Sequence, residues 1–185
     1  MTARRALLLS LLLAAAARAD PADSLTIGRT TFTRVAAIED ESYSLVEYIP
    51  AGEWVDAWRT CASVKRVKAW SGGAADYIAA VAQRLRAESP APTFEVRRNP
   101  GTHRLLIEYI QMAPDGSWLD WNAIEAGEIA DAAICSHQLL VRRLTRRFRN
   151  PSKETIQGIW TARAGYLRTF TDSAFALDRF PLAGE

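Results

Sequence analysis

Two carboxylates sit where a carboxylate is expensive. Leu45-Val46-Glu47-Tyr48-Ile49 and Leu106-Ile107-Glu108-Tyr109-Ile110 read as two apolar strands with one glutamate in the middle of each. Burying a carboxylate is costly unless it is paired or neutral, so Glu47 and Glu108 each need a partner or an opening to solvent. Lining one cleft, they would act as acid and base, with Tyr48 and Tyr109 beside them, in a small envelope hydrolase or lyase. The competing reading is structural. Each glutamate would pair with an arginine, Arg97, Arg98 and Arg104 being the candidates, and the five-residue echo would reflect shared β preference. The structural reading carries more weight.

The remaining reactive side chains form no familiar constellation. His103 stands beside a tight turn, as a solvated strand-end residue would. Ser136 and His137 are neighbours and on a strand point to opposite faces, which defeats a simple nucleophile–base pair. Cys61, Cys135 and His137 match no spacing that binds zinc strongly. The sequence has no phosphate loop, dinucleotide fingerprint, nucleophile elbow or calcium loop, so no cofactor and no metal is expected. Cys61 and Cys135 are the two cysteines. Bonded, they would staple helix to sheet across a 74-residue separation, worth about 4 to 5 kcal/mol by loop entropy. Two buried thiols are the alternative.

One local charge feature stands out: Arg142, Arg143, Arg146, Arg147, Arg149 and Lys153. It suits an anionic surface or an acidic protein partner. A solvated strand edge, or internal pairing with Glu125, Glu128 and Asp131, would explain it equally simply. Nucleic acid is disfavoured, because no aromatic residues interleave the cations as stacking platforms.

The first nineteen residues read as a removable export signal. Arg4 and Arg5 precede an apolar run from Ala6 to Ala17, and Ala17-Arg18-Ala19 gives the small-x-small cleavage pattern. The run is about twelve residues, too short for a membrane helix. The mature chain would begin at Asp20, in the periplasm or outside the cell, without a transmembrane anchor. Its formal net charge falls from +2 to −1, because Arg4, Arg5 and Arg18 leave and residues 1–19 hold no acid. No global basicity then argues for nucleic acid or anionic membrane. The domain reading is a signal at 1–19 and a single globular domain over 20–185.

Several elements must position these residues. Strands are expected at Thr26–Val35 and Tyr43–Ile49, the second stopped by Pro50-Ala51-Gly52. Trp54, Trp58 and Cys61 recur at i, i+4 and i+7, which predicts a helix over 53–68 with both tryptophans inward. A second helix runs Ala74–Glu88. Strands follow at Phe94–Arg98, Arg104–Met112 and Trp118–Ile124, with turns at Asn99–Thr102 and Ala113–Gly116. In the second hairpin Ile110 is expected opposite Leu119 and Glu108 opposite Trp121, with both faces apolar and therefore covered. Glu125–Ala133 reads as an acidic loop or helical turn. Ile134–Phe148 is read as a long strand from Leu139, Val141, Arg143, Thr145 and Arg147, with a helix the alternative because Leu140, Leu144 and Phe148 recur at i+4. Asn150 and Pro151 open a final helix as cap and first residue, with Ile156, Ile159, Trp160, Arg163, Tyr166, Leu167 and Phe170 as its buried stripe.

Tyr48-Ile49-Pro50-Ala51-Gly52-Glu53, followed by Trp58, resembles a pattern in small exported bacterial proteins of unassigned function. There a strand ends in Tyr-x-Pro-x-Gly-Glu and a helix with an inward tryptophan begins. The element order is similar to the Mog1/PsbP-like fold. That resemblance implies a binding or accessory role in a larger assembly and transfers no catalytic residue. The expected fold class is α+β, a central antiparallel sheet sandwiched by helices. The expected function is an exported, non-catalytic accessory or binding protein of the bacterial envelope.

Overall fold

Alternation of period two governs far more of this chain than its helical patterns do. In the computed structural model, which describes residues 23–68, 70–99, 102, 104–131 and 136–172, eight strands form one antiparallel sheet. They are β1 (Ser24–Ile27), β2 (Thr30–Glu39), β3 (Tyr43–Pro50), β4 (Thr60–Val67), β5 (Thr93–Arg98), β6 (Leu105–Met112), β7 (Trp118–Asp131) and β8 (Ser136–Arg149). The two helices are α1 (Ala74–Ala87) and α2 (Lys153–Asp172). The order across the sheet is β1-β2-β3-β4-β8-β7-β6-β5, so β1 and β5 are its edges.

The fold class is thereby corrected. Among the described residues the chain forms a single eight-stranded antiparallel sheet with two helices rather than a helix-sandwiched α+β fold. The main cause is the 53–68 segment, which is turns followed by β4 and not a helix. Ala62 and Val64 face one core while Cys61, Ser63 and Lys65 face the other way, a strand alternation. Trp54, expected inward, is 80% exposed. Glu53 does not open a helix either: its carboxylate accepts the Arg59 backbone N–H at 2.7 Å and closes the turn.

Each helix has its own core. Ile78, Val81 and Leu85 of α1 pack on Ile107, Tyr109 and Ile124, covering only the β5–β8 half of one face. On the same side no helix among the described residues covers the β2–β3 part, and Ile38 is 47% exposed there. Ile159 and Phe170 of α2 lie on the other face and share a core with Ile27 of β1, Phe32 of β2 and Leu106 of β6. From β1 to β6 is six strand spacings, roughly 29 Å across at about 4.8 Å each. Yet a single turn of α2 meets both ends, Thr169 standing against Gly28 after β1 and Arg168 lining a cavity with Arg97 of β5 and Leu106 of β6, so the sheet curls around the helix.

Several boundaries move from their expected places. Gly28, at φ +61°, turns the chain between β1 and β2 where one strand was expected. Strand β7 runs on to Asp131 through the supposed acidic loop, because Leu139–Arg149 of β8 needs a partner along its whole length. Strand β8 itself matches expectation. The β6–β7 pairing places Ile110 opposite Trp121 and Glu108 opposite Ala123, two residues from the expected register. An even slip keeps every side chain on its face. Asn150 adopts φ +46° and is not the cap of α2. Ser152 is, with its Oγ accepting the Thr155 N–H at 3.2 Å.

Leu144→Ala is expected to cost about 2–5 kcal/mol, since it empties the α2 core at a fully buried position. Trp54→Ala is expected within about 0.5 kcal/mol of wild type. Urea denaturation of both variants checks the difference; a helical, core-facing 53–68 segment would give comparable losses.

Candidate functional site

Strand alternation splits the arginine run. Arg142 and Arg146 point to the α2 side with Leu140 and Leu144, while Arg143, Arg147 and Arg149 lie on the opposite face. No single basic strip results. Arg142 is buried against Glu125, which also accepts Asn99 Nδ2 at 2.7 Å and Thr102 Oγ1 at 3.3 Å. Arg146 lies over the Tyr166 ring at 4.1 Å. Arg147 grips Asp120 with two hydrogen bonds, at 2.9 and 2.7 Å, and sits between the rings of Trp58 and Trp118. Its hydrogen bond to Asp120 holds its pKa up. Arg143 donates to Asn122 Oδ1 at 2.6 Å, which Thr145 also reaches at 2.9 Å. Arg149 donates to the Asp56 carbonyl at 2.8 Å. Lys153 stands exposed at the start of α2. Most of this charge is sheet structure; of the internal partners expected for it, Glu125 takes Arg142, while Asp120, Asn122 and the Asp56 carbonyl were not expected.

The glutamates do not meet. Glu47 pairs with Ser63 and lies on the face away from α2, as its neighbours Val46 and Tyr48 face α2. Glu108 is on the α2 face, two strands beyond β8. Tyr48 and Tyr109 are buried on opposite faces as well, and burial pushes the Tyr48 hydroxyl up to about 12. An acid/base pair of Glu47 and Glu108 is therefore geometrically excluded. Glu108 takes none of its three anticipated arginines. It accepts Trp121 Nε1–H at 2.7 Å and stands 3.4 Å from Arg163 Nε.

The residues that do converge line a groove between α2 and the edge strand β5. One cavity there, of about 320 Å³, is walled by Arg97, Arg98, Asn99 and Arg168, with Leu106 and Leu167 as its apolar part. Next to it a cavity of about 160 Å³ is lined by Glu95, Glu108, Trp160 and Arg163. Glu95 joins the two: its carboxylate takes Arg97 at 2.5 Å and Arg163 at 2.8 Å, and the Arg97 bond holds its pKa below the usual range. Arg168 has no side-chain hydrogen bond or ion pair among the described residues. Sequence reading had missed Arg168. Arg163 carried a signal, since a cation within the apolar stripe of a helix implies an acid facing it.

Cys61 is half-buried on β4 and pairs with Thr145. Cys135 and His103 lie outside the described residues, as do 1–22 and 173–185; no side-chain description covers His137. No disulfide occurs among the described residues. Burial, and then the charge of Glu47, push the Cys61 thiol up to about 11. Among the described residues no group of three or more His, Cys, Asp or Glu is placed to hold a metal ion. No helix among them is long and apolar enough to cross a membrane.

No protein-family model, no curated protein and no solved structure matches this chain.

The raised thiol pKa gives a signed expectation. Cys61 titrates near its ordinary value of 9.0 when unfolded and near 11 when folded. Between those values the unfolded chain releases its proton first, so stability falls as pH rises through that window. Denaturation midpoints are expected to drop across it, and less so in Cys61→Ala. Iodoacetamide at pH 8 should label Cys61 slowly in the native protein and quickly in denaturant; equal rates would contradict the burial.

Proposed function

We propose that the chain is an exported, non-catalytic binding or accessory protein of the bacterial envelope, whose ligand seats an anionic group in the α2–β5 groove. The observation that carries this reading is the convergence of Arg97 and Arg168, beside Asn99, on a cavity of about 320 Å³, with Arg168 unpartnered among the described residues; Arg98, next along β5, sends its side chain to the other face. Guanidinium groups hold phosphate or carboxylate through paired N–H donors, and a partly enclosed site strengthens that attraction. Leu106 and Leu167 offer apolar contact beside the charge, as binding sites commonly do. Export rests on Arg4, Arg5, the Ala6–Ala17 run and the Ala17-Arg18-Ala19 pattern. The separation of Glu47 from Glu108 works against the hydrolase or lyase alternative.

Protein recovered from the envelope and beginning at Asp20 is expected to bind inorganic phosphate saturably in calorimetry at low ionic strength. Arg168→Glu should weaken that binding at least tenfold with unchanged circular dichroism, the scale of one charge-assisted hydrogen bond. Acetate competing with phosphate would assign the site to carboxylates, whereas no competition would assign it to phosphates. Phosphate affinity indifferent to Arg168→Glu would overturn the assignment.

A further inference from the structure

We infer that the cavity lined by Glu95, Glu108, Trp160 and Arg163 is an ammonium subsite, with Glu108 as the acceptor of an amine N–H. The starting point is a like-charge pair. Glu95 of β5 stands directly opposite Glu108 of β6, an arrangement that destabilises a sheet unless cations intervene. The intervening cations are unevenly shared. Glu95 takes both Arg97 and Arg163, at 2.5 and 2.8 Å, although it is half exposed. Glu108 is only 4% exposed, yet it has Arg163 no nearer than 3.4 Å.

Its two oxygens also differ. Oε1 accepts the Trp121 indole N–H, while Oε2 is buried with no hydrogen-bond partner among the described residues. A buried carboxylate oxygen without a donor is costly, and each such group in a native protein calls for an explanation. A ligand ammonium supplies the missing donor, and its charge adds to that of Arg163, which stands at the outer limit of an ion pair with Oε1. The cavity, of about 160 Å³, suits a small alkyl group, and Ile110 and Trp160 give it apolar walls for the stem. A divalent cation fits less well, since it needs six or more oxygens and only two carboxylates are present.

The assignment deepens the proposed function and rests on it only for the ligand's other end. Glu95 and Arg97 are two residues apart on β5, about 7 Å along the strand. A molecule bridging both cavities would therefore be zwitterionic, its amine at Glu108 and its anionic group at the arginines.

The test uses the full chain, ¹⁵N-labelled, titrated with n-butylammonium chloride at constant ionic strength. The Trp121 indole resonance is expected to shift saturably, because that N–H shares Glu108 with the amine. 1-Butanol, which lacks the charge, and tetramethylammonium, which lacks the N–H, should bind at least tenfold more weakly. Glu108→Gln should weaken butylammonium at least tenfold and leave phosphate binding intact. Should Glu108→Gln fail to fold, Glu95→Gln at the cavity rim serves instead, with a severalfold loss expected. Equal binding of butanol would show an apolar cavity only, and butylammonium without effect would mean solvent alone satisfies Glu108; either result overturns the inference. Butylammonium binding without phosphate binding would instead overturn the arginine site and leave this one standing.

Discussion

The structure depends on the pairing of β7 with β8 along fourteen residues each, at the centre of a sheet covered on both faces. In such strands neither face is free for polar side chains, so each must find its partner within the sheet. The chain does this in rows. On the α2 side Glu125 is neutralised by Arg142 and completed by Asn99 and Thr102. On the other side Asp120 meets Arg147, and Asn122 meets Arg143 and Thr145. A buried ion pair adds little over an apolar pair of the same shape, but losing one partner strands a charge. These rows therefore fix register more than they add stability.

That constraint explains which parts of the fold were legible in the sequence. Strands β3, β5, β6 and β8 and both helices announced themselves by alternation, helical spacing and turn residues. The faces of the β6–β7 hairpin were also legible, because an even register slip leaves them unchanged. The 53–68 segment was not. Trp54, Trp58 and Cys61 coincide with a helical period, but Trp58 packs on Arg147 and Trp54 faces water. A three-residue coincidence outweighed the alternation of Thr60–Val67, whose mixture of small, polar and charged residues hid its period. The acidic 125–131 stretch misled similarly, since an acid in a strand reads as a loop until its arginine is known.

The site was less legible than the fold. The sequence singled out Glu108 correctly as a carboxylate in an apolar strand, but the claim that it met Glu47 required knowing which face each occupies. Four strand steps separate β3 from β6, and parity along each strand decides the face. The arginine run looked like a surface because sequence neighbours seem to act together, whereas a strand sends them to opposite sides. Arg168 and Arg97, far apart in the chain, form the groove because the sheet curls around α2 and brings the edge strand β5 beside it. Curvature of that kind leaves no local trace in sequence.

The measurement that bears most directly on the groove is phenylglyoxal footprinting of the folded protein, read by mass spectrometry with and without an extract of the bacterial envelope. It reports protein and small-molecule ligands alike. Loss of modification at Arg168, joined by Arg97, with Arg143 and Arg149 unchanged, is the result expected if the α2–β5 groove is the binding site. Protection confined to Arg143 and Arg149, on the opposite face of the sheet, would contradict that placement.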